Sequence, residues 1–187
     1  MKPVQRSEIL DYVTYGEQRE GIRAAALAAK RDRRLLVGDY FCFLFENRET
    51  VRYQVLEMMR TEQIVKEADI LHELETYNEL VGPKGTLCAT LLIGIDDEQE
   101  RAEKLSAWLG LLDHLYAKLP SGERVTPSWD PRQVGDTRLS SVQYLSFAFG
   151  EHAPVALGVD WAERELTVEL ALSEAQRAAL QADLDGE

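Results

Sequence analysis

The sequence predicts an α+β fold in which N-terminal helices and two buried strands pack with a largely antiparallel sheet, closed by a C-terminal helix. Three observations carry this. Helical spacing of apolar residues dominates up to about residue 112, and short strand-like runs separated by turn residues follow. A capping pattern at Ser173 then opens one last helix. With 187 residues, 45% hydrophobic and 29% charged, the chain is expected to form one domain spanning 1–187 and to bury most of its core.

The first helix is expected to start at a Ser7 cap and run through Ile9, Leu10, Val13, Ile22, Ala26 and Ala29 to a basic end, Lys30-Arg31-Asp32-Arg33-Arg34. Gly16 and Gly21 each weaken its middle by roughly 1 kcal/mol against alanine, which leaves a break there open. Gly38-Asp39 marks a turn. The continuous apolar run Phe41–Phe45 has the pattern of a strand buried on both faces. Asn47 caps the next helix, roughly 48–65, whose stripe is Val51, Val55, Met58 and Met59. Another helical piece covers 66–75, and Gly82-Pro83 turns the chain into a buried strand over 87–95. Asp96 and Gln99 form a capping-box pattern for a helix to about Leu112. Strands follow at 115–119 and 124–126, joined around Pro120-Ser121-Gly122, then at 142–149, 155–159 and 166–172. The last alternates Leu166, Val168, Leu170 and Leu172 against Thr167, Glu169 and Ala171, which gives one buried face.

Charge excludes several classes of function. The net charge is −12, and it is uneven: residues 1–60 carry +2 and residues 61–187 carry −14. Such a chain lacks the phosphate-neutralising surface that nucleic acids require, and it is equally unsuited to anionic membranes. No apolar run reaches the ~20 residues that span a bilayer. The first residues show no apolar signal core, so a cytoplasmic protein is expected. Cys42 and Cys88 sit in apolar runs, as buried free thiols do; a disulfide between them stays open but is disfavoured in the cytoplasm.

The densest polar segment, Glu46 to Gln54, lies where a buried strand hands over to a helix. Arg48 and Arg52, at i and i+4, share one face near a helix N-terminus and are candidates to bind an anion. Glu46 and Glu49 are candidate general bases, while His72 and Tyr77, in the following 72–78 segment, are candidate proton donors. The same residues also fit a structural network in which Glu46 and Glu49 neutralise the arginines. Two cysteines are too few for a four-thiolate cluster, and Asp69-x-x-His72 is half of a di-iron motif. No metal or cofactor is therefore expected. P-loop, dinucleotide and nucleophile-elbow fingerprints are absent.

Phe45-Glu46-Asn47-Arg48-Glu49-Thr50-Val51-Arg52-Tyr53-Gln54, followed by Glu57-Met58, resembles a bacterial family known as domain of unknown function 3501. His72-Glu73-Leu74-Glu75-Thr76-Tyr77-Asn78, Ala89-Thr90-Leu91-Leu92-Ile93 and Leu157-Gly158-Val159-Asp160 are similar to its later blocks. No activity is attached to that family. Its members are often encoded beside a rubrerythrin-like protein and an iron–sulfur oxidoreductase, so the resemblance implies a redox or peroxide-defence setting. Two expectations follow. The first is an accessory or interaction protein with a rubrerythrin-like or iron–sulfur partner. The alternative is a small-molecule or metal-binding enzyme whose polar pocket is built from segments 46–54 and 72–78. A homodimer is compatible with either.

Overall fold

The computed structural model describes residues 1–186. Five helices accompany two four-stranded antiparallel sheets, as the α+β prediction requires. The elements are α1 (Tyr12–Arg31), β1 (Arg34–Val37), β2 (Phe41–Phe45), α2 (Arg48–Thr61), α3 (Glu67–Asn78), β3 (Thr86–Ile93) and α4 (Glu98–Ala107). Then come β4 (Leu115–Lys118), β5 (Arg124–Val125), β6 (Val142–Ala148), β7 (Ala156–Trp161), β8 (Leu166–Ala171) and α5 (Glu174–Asp185).

One sheet runs β1-β2-β3-β6 and the other β5-β4-β7-β8. Strand alternation sends Phe41, Phe43 and Phe45 to the same face as Leu87, Ala89, Leu91, Leu145 and Phe147. That face shares a single core with Leu115, Ala117, Leu157 and Val159 of the second sheet, and with Leu180 and Leu184 of α5. Phe45, Phe147 and Phe149 form an aromatic cluster in it, with centroids 5.4–6.2 Å apart. A separate core holds the helical layer together: Tyr15 of α1, Val51, Val55, Leu56 and Met59 of α2, and Ile70 and Leu74 of α3.

Several local details differ from the sequence reading, each for a physical reason. Ser7 lies in a short 3-10 turn over Arg6–Glu8, and α1 starts instead at Asp11, whose carboxylate accepts from the Val13 and Thr14 amides. Gly16 and Gly21 sit inside an unbroken helix, because α1 is anchored along its other face by packing on α2. The basic helix end does not extend to Arg34: that residue begins β1, which hairpins onto β2 with Arg34 opposite Leu44. The α4 cap is Asp97, not Asp96; its carboxylate accepts from the Glu100 amide at 2.8 Å. The expected cap at Asn47 forms, as part of a box with Thr50, and the expected box of Ser173 with Gln176 forms too.

Candidate functional site

The 46–54 segment begins as β2 leaves the sheet and ends inside α2, so its side chains face three different surroundings. Glu46 is wholly buried. The Thr50 hydroxyl donates to its Oε2 at 2.6 Å, and the Thr90 hydroxyl of β3 donates to its Oε1 at 3.0 Å. This pins the start of α2 to the sheet. Arg48 and Arg52 do share a face, but both are drawn onto the N-terminal segment. Arg48 bonds the backbone oxygens of Lys2 and Pro3 and pairs with Glu8 at 2.7 Å; Arg52 Nε donates to the Glu8 carbonyl at 2.9 Å. Glu49 stands 4.0 Å from Arg52. Together the two arginines latch the N-terminal segment onto α2. The Glu8 carboxyl is held below its ordinary range, first by the Gln5 amide and then by Arg48.

Asn47, Arg48 and Glu49 border a recess of about 500 Å³ beside Lys2, Pro3 and Gln5. His72 is exposed on α3, away from that recess. Glu46, the arginines and His72 are thus not gathered into one cavity. Among the described residues, no group of three or more His, Cys, Asp or Glu is placed to hold a metal ion. The basic cluster disperses as well: Arg33 pairs with the buried Asp183, Arg31 pairs with Asp32, Arg34 donates to Cys42 Sγ, and Lys30 sits over Tyr53.

Tyr77 has a different location. It lines a cleft of about 750 Å³ whose floor is the outer face of β3 and β6, where Cys88 pairs with Ser146 and Thr90 with Tyr144. The end of α3 forms one wall. The 128–133 segment forms the other, carrying Trp129. Two clips fasten that segment along the open edge of β6. Ser128 and Ser146 exchange a pair of backbone hydrogen bonds of 2.8 and 2.9 Å. The Gln133 side-chain amide then plays the part of a neighbouring strand, accepting from the Tyr144 N–H at 2.7 Å and donating to its carbonyl at 2.9 Å. Burial pushes the Cys88 thiol above its ordinary pKa; the Ser146 hydroxyl opposes this, while nearby Glu46 adds to it. Tyr77 is likewise pushed up, mainly by burial, then by Glu73 and Tyr144. Cys88, Trp129 and Tyr144 are cleft residues that sequence reasoning misses. Their convergence depends on the β3–β6 register and leaves no local signal.

The family described as "Protein of unknown function (DUF3501)" matches residues 3–184. The chain belongs to that family. Among solved structures it is similar to a novel protein of unknown function from Burkholderia pseudomallei K96243, with 28% sequence identity and a TM-score of 0.88. The likeness covers 98% of this chain and 100% of that one. No curated protein matches. The DUF3501 fold therefore includes both sheets and the helical layer, and the cleft lies within the matched span. Among the described residues, no helix is long and apolar enough to cross a membrane.

Proposed function

We propose that this DUF3501 chain is a cytoplasmic accessory protein of a redox or peroxide-defence system, acting by binding a rubrerythrin-like or iron–sulfur oxidoreductase partner. One observation supports an interaction role above catalysis. The charged groups of the 46–54 segment are spent on holding the chain together: Glu46 on Thr50 and Thr90, Arg48 and Arg52 on the N-terminal segment. The redox setting rests on the family resemblance. The test is affinity capture of the full chain from its native host followed by mass spectrometry. Enrichment of a rubrerythrin-like or iron–sulfur protein is expected; recovery of neither overturns the reading.

A second reading, a small-molecule-binding enzyme, is favoured by the cleft, to which the 72–78 segment contributes Thr76 and Tyr77. Its volume falls within the roughly 300–1,000 Å³ usual for ligand sites. A thermal-shift screen against a metabolite collection tests it. Stabilisation that Tyr77→Phe alters supports this reading, and a screen without hits counts against it.

A further inference from the structure

We propose that the cleft between α3 and β6 is a binding site for a planar aromatic molecule with no negative charge, held among Tyr77, Trp129 and Tyr144. The proposal rests on the second reading above and adds the class of ligand.

The walls supply the first argument. Three aromatic residues from three separate segments line one cleft, and the segment bearing Trp129, which also packs against the main core, is fastened at both ends, by Ser128 to Ser146 and by Gln133 to Tyr144. Fixing Trp129 between two clips gives a wall that exists before any ligand arrives, so little ordering cost remains for binding. Tyr144 is 53% exposed although it sits mid-strand, an apolar ring that the fold itself does not use.

Electrostatics supplies the second. The C-terminal end of α3 faces the floor: the Cys88 thiol lies 3.8 Å from the Glu79 carbonyl, at the negative end of the helix. Behind Cys88 stands the buried Glu46, close enough to raise the thiol's pKa and so favour its neutral form. Among the described residues, the one cation lining the cleft, Arg132, is forked onto Asp130, whose carboxyl it draws down to about 2. With Arg132 neutralised, Glu79 and the carbonyl end of α3 leave the cleft negative. Phosphates and carboxylates are disfavoured there, whereas an uncharged or cationic ring gains from the aromatic faces.

The test compares three probes of similar ring size: N-methylquinolinium (cationic), quinoline (neutral at pH 7.5 by ordinary heteroaromatic basicity) and naphthalene-2-sulfonate (anionic). Binding to the full chain is followed by the indole N–H resonances in a ¹⁵N correlation spectrum. The chain has three tryptophans, and Trp129→Phe assigns the relevant signal. Saturable shifts of the Trp129 signal with the cation and quinoline are expected, with Trp108 and Trp161 unmoved and the sulfonate at least tenfold weaker. Tyr144→Ala, which removes an exposed ring and keeps the backbone clip to Gln133, is expected to weaken N-methylquinolinium at least fivefold. Preferential binding of the sulfonate overturns the ligand class while leaving the ligand-binding reading in place. No shift of Trp129 with any probe, or binding unaffected by Tyr144→Ala, overturns the proposal.

Discussion

Thr90 shows how much one hydroxyl does in this fold. It is among the few buried polar residues, and it holds one oxygen of the wholly buried Glu46 while Thr50 holds the other. Replacing it by valine keeps shape and removes the donor, leaving a buried carboxyl oxygen without its partner. Thr90→Val is expected to lower stability by about 1–3 kcal/mol, and Thr90→Ser to recover most of that. Urea unfolding with unchanged slope measures both. Gly158 is constrained from the opposite direction. A Cβ there would lie 2.5 Å from the Tyr116 ring, which is buried, bonded to Glu169 at 2.8 Å and covered by Arg124 at 3.9 Å. Gly158→Ala is expected to cost about 1–3 kcal/mol through overpacking. In a Tyr116→Ala background the cost should largely vanish, a coupling that a double-mutant cycle reads directly.

At the scale of elements, the joints matter more than the elements themselves. The C-terminal helix α5 is attached to the start of β1 by Arg33, whose guanidinium forks onto the buried Asp183 at 2.6 and 2.8 Å and also bonds the Ala29 carbonyl. Asp183→Ala leaves the half-buried Arg33 guanidinium without its carboxylate and is expected to cost about 2–3 kcal/mol; undiminished stability in urea would show that the pair is dispensable. Helix α1 invites the reverse change. Gly16 and Gly21 are exposed in its interior, and a methyl group added at either would meet nothing within 4 Å, so alanine at each should stabilise by about 0.5–1 kcal/mol. These joints also explain what is legible from sequence. The aromatic run of β2, the alternation of β8, the cap at Asn47 and the box at Ser173 are local signals, and each element forms where they place it. The start of β1 reads as a helix end because Arg33 and Arg34 suit a helix C-terminus, and nothing nearby in sequence announces Asp183 or the hairpin with β2. The arginine pair is legible as one face of α2. Its acceptor, Glu8, comes from a segment some forty residues earlier, and the cleft depends on a β3–β6 register fixed across still longer separations.

Across the whole molecule, carboxylates bind distant segments to one another, and this decides how an acidic chain responds to acid. Glu57 accepts from Arg19 at 2.7 and 2.9 Å and from the Tyr15 hydroxyl, joining α2 to α1; Glu8 joins the N-terminal segment to α2, and Glu169 joins β8 to β4. Each is held below its ordinary pKa, Glu57 chiefly by Arg19 and Glu169 chiefly by Tyr116. Two effects then compete as the pH falls. Protonation relieves the self-repulsion implied by a net charge of −12, which favours the compact state. Against this, the unfolded chain takes up protons near the ordinary glutamate value of about 4.3, before these folded carboxylates do, which favours unfolding. Their stabilisation is fully present above that value and is lost as the pH drops towards the lower folded pKa values. Relief of repulsion acts first, during the titration of exposed carboxylates, and the linked loss dominates below about pH 4.3. Urea midpoints between about pH 7 and 3 should therefore stay level or rise slightly at first and then fall. Glu57→Gln tests the assignment because it removes the acid whose partners lie in the helical core. It should unfold more easily at neutral pH and show a shallower decline below about pH 4.3, whereas a decline as steep as that of the unaltered chain would place the acid sensitivity elsewhere.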